Sequence, residues 1–152
     1  MKPVKPIILI FDDGYEDNYF HLMPLLKKHH VKAVIFVLAD EPLYNNRWNM
    51  AEGEPEAALM SPEQIIECHQ SGCVEIASHG ISHRRLTKLT DDELAFEISA
   101  TKRRLEEMTG DEVVSFAYPT VTARSVSQKP SPPQATVSAL LRSQVQSGWQ
   151  IT

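Results

Sequence analysis

An α/β fold built on mostly parallel strands is predicted by three features: short apolar runs rich in β-branched residues, amphipathic helical stretches alternating with them, and two capping boxes that mark helix starts. The alternation calls for right-handed crossovers and puts any site beyond the carboxyl ends of the strands. At 152 residues the chain reads as a single domain, 1–152, able to bury roughly two-thirds of its unfolded surface.

The first run, Ile7 to Phe11, lies between prolines and Asp12-Asp13-Gly14 and reads as a buried central strand that delivers two carboxylates to the sheet edge. Phe20, Met23, Leu25, Leu26 and His30 set out a helix beginning near Pro24 or one turn earlier, and Ala33 to Leu38 is a second buried strand. Residues 40–60 break the rhythm with polar, Gly and Pro residues around Tyr44 and Trp48. A connection of about 20 residues is longer than most in compact domains and is either functional or mobile. Ser61-Pro62-Glu63-Gln64 supplies an N-cap, a proline at the first helical position and Gln at the third, and this helix ends near Ser71-Gly72. Val74 to Ala77 is the third strand, carrying Ser78 and His79 at its end.

Thr90-Asp91-Asp92-Glu93 is the second capping box, its acids favourably placed at the helix amino end. The helix behind it shows Leu94, Ile98, Leu105 and Met108 on an apolar face and stops at Gly110; Val113 to Ala117 is a fourth strand, followed by Tyr118-Pro119. From Val121 the character changes. Ser, Thr, Gln and Pro make 121–134 an atypical loop, and Val137, Leu140, Leu141 and Val145 then recur at helical spacing before Gly148.

Net charge is -5, and all 20 Asp and Glu lie before residue 113. No basic stripe exists to neutralise phosphates, which argues against a nucleic-acid partner. Cys68 and Cys73 form no C-x-x-C pair and read as two free thiols. The apolar block Ile7 to Phe11 is too short for a membrane span and lacks the form of a signal peptide, so as written the chain is expected to be soluble and cytoplasmic.

The chemistry concentrates in two places. His79 and His83 stand four apart, a spacing that can present two imidazole nitrogens to one metal and that also arises by chance. Asp12 and Asp13 leave a strand on opposite sides, so one carboxylate can reach a metal while its neighbour faces another part of the pocket; the alternative is that both cap the next helix. Gly14 lets the backbone turn sharply beneath them.

These residues carry a resemblance. Ile10-Phe11-Asp12-Asp13-Gly14-Tyr15 resembles the first motif of the polysaccharide deacetylase (NodB-like) family, Ser78-His79-Gly80-Ile81-Ser82-His83 the second, and Phe116-Ala117-Tyr118-Pro119 the third. The resemblance runs from about Pro6 to Pro119 and is closest to the extracellular poly-N-acetylglucosamine deacetylases. It implies a partial or irregular (β/α) barrel of the NodB-homology type and a divalent metal, zinc, on Asp13, His79 and His83, with Asp12 as catalytic base. It further implies hydrolysis of N-acetyl groups from an N-acetylglucosamine-containing polysaccharide. In that scheme the metal polarises the acetamide carbonyl, Asp12 takes the proton from the attacking water, and Tyr118, Pro119 and Thr120 face substrate or oxyanion, Thr120 through its backbone N–H. Ser78 and Ser82 would orient the imidazoles from behind. The family also suggests an extracellular or cell-envelope location.

The sequence departs from the family pattern at two points. Pro119 is followed by Thr120-Val121 where a glycine usually comes second, and no histidine follows His83, so the late catalytic histidine has no counterpart and the general acid is unassigned. The chain is shorter than the family domain, and two expectations stand side by side: 121–134 is a local replacement, or the domain is incomplete, truncated after the third motif or altered in frame, in which case an uncovered sheet edge invites self-association. The rival from another class is a catalytically impaired metal-binding or glycan-binding fragment with a structural role. A further enzyme reading is amide or ester hydrolysis on a small non-sugar substrate.

Overall fold

The computed structural model describes residues 7–40 and 44–120. Three parallel strands, β1 (Leu9–Phe11), β2 (Ala33–Val37) and β3 (Val74–Ser78), form a sheet in the order β1-β2-β3. Leu9 pairs with Ala33 and Ala33 with Val74, so the three strands start level. Each connection carries a helix: α1 (Met23–His29) between β1 and β2, and α2 (Arg47–Met50) and α3 (Pro62–Gln70) between β2 and β3. The last helix, α4 (Asp91–Thr109), follows β3. The result is an open α/β sheet flanked by helices, the architecture expected of part of a (β/α) barrel.

Local signals account for most of these boundaries. Both capping boxes form: the Ser61 hydroxyl accepts from Gln64 N at 3.3 Å while Gln64 Oε1 accepts from Ser61 N at 2.8 Å, and Thr90 and Glu93 exchange the same pair of bonds. Gly110 closes α4 in the left-handed conformation at φ 78°, where a residue without Cβ avoids the steric penalty. The first helix does start a turn early. Asn18–Leu22 is wound as a π-segment, with Met23 N donating to Asn18 O.

Alternation along the strands decides which side is core. Ala33, Ile35, Val37, Val74 and Ile76 point to one face and pack with Leu26, Ile65, Cys68 and Leu105 from the helices, where Ile35, Cys68 and Leu105 are fully buried. Cys68 and Cys73 are free thiols, and burial pushes the Cys68 thiol up to about 11.

Three expectations need correction. β1 is the edge of the described sheet and β2 its centre; Ile8 and Ile10 are 61% and 56% exposed. An apolar run records that a strand suits apolar neighbours and carries no information on sheet order. The fourth strand reduces to one bridge, Ser78 with Phe116, bracketed by Ser78 N to Ser115 O and Ala117 N to Ser78 O. Its first backbone groups are taken by side chains: Val113 N donates to Glu106 Oε1 and Val113 O accepts from Lys102 Nζ. Residues 44–60 hold more order than a plain loop, with α2 and two antiparallel bridges, Asn45 with Ala58 and Tyr15 with Leu59. The atypical loop 121–134 and the amphipathic stretch after it lie outside the described residues.

Candidate metal centre

β1 and β3 end on the same side of the sheet, and the first two motifs meet there. After Phe11 the chain reverses at once: Gly14 N donates to Asp12 O at 2.9 Å across Asp13, whose φ is 69°. A three-residue turn with positive φ is a rare conformation that surrounding structure must hold. The hold comes from Gly14 and the 44–60 segment. A Cβ on Gly14, at φ 74°, would stand 2.8 Å from Val37 Cγ1, and Gly14 O accepts from Met60 N at 2.9 Å. The segment thus clamps the turn that presents Asp13.

β3 supplies the histidines. His79 N donates to Val37 O at 2.9 Å, seating the residue just past the sheet, and its side chain is 3% exposed. The chain then passes through Gly80 at φ 86° and reaches His83 at φ 58°. Of the three non-glycine residues with positive φ among the described residues, Asp13, His30 and His83, two therefore belong to this cluster.

Asp13 Oδ1 lies 3.2 Å from Nε2 of His79 and 3.2 Å from Nε2 of His83. One donor atom from each residue falls within 4.8 Å of the other two. Asp13 Oδ1 is buried yet makes no well-directed hydrogen bond among the described residues. Three lone-pair donors aimed at one another across a buried space fit a cation, and a carboxylate with two imidazoles is a donor set that divalent transition ions accept. Burial pushes the Asp13 carboxyl up, but the two imidazoles beside it more than reverse that and hold it well below the usual carboxylate range.

The other predicted residues surround this cluster at different depths. Asp12 is exposed beside Asp13. Pro119 lies against Gly80, where an added Cβ would meet Pro119 Cγ at 3.5 Å, so the third motif sits against the second. Tyr118 is 39% exposed and packs edge-on to Phe116, and burial pushes its hydroxyl pKa up. Thr120 Oγ1 and Ser78 Oγ are buried without partners among the described residues. The Ser82 hydroxyl donates to Glu97 Oε1 at 2.5 Å and not to an imidazole. His21, His29 and His30 are exposed, while His69 pairs with Asp111 at 2.9 Å, all away from the cluster.

Two residues near the centre were not foreseen in these roles. Trp48 lies flat on the His83 ring, centroids 4.3 Å apart. Glu97 of α4 is 3% exposed and bonds the loop between the two histidines. Its signal was present in the helix periodicity: position 97 falls on the stripe of Leu94, Ile98 and Leu105, where an acid has to find donors.

The family described as polysaccharide deacetylase matches residues 1–129. YxkH of Bacillus subtilis is 32% identical over 119 residues, 78% of this chain and 38% of its own. The peptidoglycan-N-acetylglucosamine deacetylase PgdA of Listeria monocytogenes is 32% identical over 110 residues, 72% of this chain and 20% of its own. Among solved structures, IcaB from Ammonifex degensii superposes with a TM-score of 0.65 at 26% identity, covering 94% of this chain and 58% of that one. This chain spans between 17% and 38% of the length of such curated relatives. The expected cytoplasmic location is overturned by these relatives, since peptidoglycan, for which PgdA is named, is a polymer of the cell envelope. No helix among the described residues is long and apolar enough to cross a membrane.

Proposed function

Because the chain belongs to the polysaccharide deacetylase family, we propose that it removes N-acetyl groups by hydrolysis from an N-acetylglucosamine-containing polysaccharide of the envelope or extracellular space. The observation that carries this reading is the convergence of Asp13, His79 and His83 within 4.8 Å at the carboxyl ends of parallel strands, where open α/β sheets place their ligands. These three residues would hold a divalent ion, zinc by the nature of the donor set. Such an ion, when bound, supplies Lewis-acid polarisation of the acetamide carbonyl and lowers the pKa of water.

The rest of the chemistry falls to the chain's own groups. Asp12 is exposed at the mouth and is the base that accepts the proton of the attacking water. Thr120 is the proposed oxyanion donor through its backbone N–H. Its neighbour Tyr118, a neutral phenol at physiological pH, is offered to substrate, with Pro119 as wall. Ser82 acts on the imidazoles through the loop it stabilises, and Ser78 remains a candidate from its unpartnered buried hydroxyl. The exposed edge of β1, with Ile8 and Ile10 open, offers a surface for self-association. Residues 1–152 are proposed to belong to a single domain of this type.

The rival reading is a metal-binding or glycan-binding piece without turnover: among the described residues the histidines in the cluster are the proposed ligands His79 and His83, which leaves no further imidazole there to serve as general acid. Acetate release from chito-oligosaccharides or poly-N-acetylglucosamine separates the two. Release by the zinc-loaded chain, abolished in Asp12→Asn, supports the deacetylase; bound zinc with no acetate released supports the rival.

A further inference from the structure

We infer that Glu97 is a positioning residue of the metal centre, holding the loop between His79 and His83 in the one shape that brings both Nε2 atoms to Asp13; the inference rests on the metal-site reading above. Glu97 Oε2 accepts from Ile81 N at 2.7 Å and from Ser82 N at 3.2 Å, and Oε1 accepts from Ser82 Oγ at 2.5 Å. All three donors come from the two residues midway between the histidines. No ion pair among the described residues involves Glu97, so a buried carboxylate, 3% exposed, is satisfied by this loop. Burying such a group is costly unless donors meet it, and each donor left behind on its removal carries its own desolvation penalty.

The loop needs that grip. Gly80 and His83 both have positive φ, 86° and 58°, and a non-glycine residue persists in this region only where the surroundings over-determine it. The flanks are tied by backbone bonds, His79 N to Val37 O at 2.9 Å and Ala39 N to Gly80 O at 3.3 Å, which leave Ile81 and Ser82 to Glu97. A Cβ on Gly80 would stand in ordinary contact with Glu97 Oε2, at 3.4 Å, so it is the positive φ of Gly80 that calls for glycine there. On the helix side, the Glu97 carbonyl accepts from Thr101 Oγ1 at 2.5 Å. A glutamine at 97 keeps the shape and can turn its N–H₂ towards the Ser82 hydroxyl, which accepts as well as donates, but it loses the charge that strengthens all three bonds.

The test is zinc affinity of the full chain, measured by competition with a chromophoric chelator, alongside circular dichroism of the metal-free protein. Glu97→Gln is expected to keep the fold and to weaken zinc binding by about 10–100-fold, the usual cost of losing a group that orients metal ligands. Ser82→Ala, which removes one of the three bonds, is expected to weaken it less, and its effect should shrink in the Glu97→Gln background. Unchanged affinity in a folded Glu97→Gln overturns the inference. Should that variant fail to fold, Ser82→Ala decides: weaker zinc binding supports the inference and wild-type affinity overturns it. A wild-type chain that takes up no zinc refutes the metal-site reading itself and the inference with it, whereas tight binding by both wild type and variants refutes the inference alone.

Discussion

Trp48 lies parallel to His83, ring centroids 4.3 Å apart and planes 14° apart, so the wall of the proposed metal site is an indole from a segment otherwise remote from it in sequence. Asn49 of the same short helix donates to the Tyr15 hydroxyl at 3.0 Å, and burial, then the charge of Asp13, pushes that hydroxyl's pKa up. The 44–60 segment is thereby joined to both halves of the cluster, to His83 through Trp48 and to the Asp13 turn through Tyr15 and Gly14.

The stack makes Trp48 an internal reporter. The chain has two tryptophans, and Trp149→Phe leaves Trp48 as the single emitter. Its fluorescence is expected to change on zinc addition and to saturate at about one equivalent per chain, with the change lost in His83→Ala. Trp48→Ala should cost about 1 kcal/mol beyond the buried area lost, the worth of a stacked aromatic pair, read from urea unfolding.

Gly14→Ala should damage fold and site together. The new Cβ meets Val37 Cγ1 at 2.8 Å in a backbone already at φ 74°, and both effects oppose the native turn. Unfolding in urea is expected to show a loss of at least about 2 kcal/mol. Gly53→Ala serves as the control: its φ is also positive, at 94°, but its added Cβ meets nothing, so its loss should be smaller and its zinc affinity intact.

The start of α4 sets an acid-side limit on stability. The Thr90 backbone N–H, then Arg84 and the Thr90 hydroxyl, hold the Glu93 carboxyl down at about 2, from 4.5. A lowered folded-state pKa stabilises the fold in full above the unfolded value and is lost as pH falls through the folded one. Wild type should therefore exceed Glu93→Gln in unfolding free energy by a constant margin above about pH 5, a margin that vanishes as pH approaches about 2. At neutral pH, Thr90→Ala is expected to cost about 1 kcal/mol, the usual value of an N-cap.

What the sequence made legible was local. Capping at Ser61 and Thr90 and termination at Gly110 depend on residues within one turn, and each boundary fell where those residues put it. The order of the strands was not legible, because an apolar run such as Ile7 to Phe11 does not record its neighbours. Nor was the loss of the fourth strand, which turns on Lys102 and Glu106 reaching from α4 to the backbone of Val113. At the site, Asp13, His79 and His83 could be named from two motifs. Trp48 could not be placed, since its position follows from pairings such as Tyr15 with Leu59 that span the sequence. Glu97 is legible in principle as the acid on an apolar helical stripe, but acids on helices usually face water, so the stripe alone does not mark it as buried.

The central claim is that Asp13, His79 and His83 close on one divalent ion. Its most direct test is a crystal of the full chain grown with zinc and measured on both sides of the zinc absorption edge. The account predicts a single anomalous peak about 2.0–2.2 Å from an Asp13 carboxylate oxygen and from Nε2 of both His79 and His83. A peak held by other residues, or none there while Asp13 Oδ1 still meets both imidazoles directly, would contradict it.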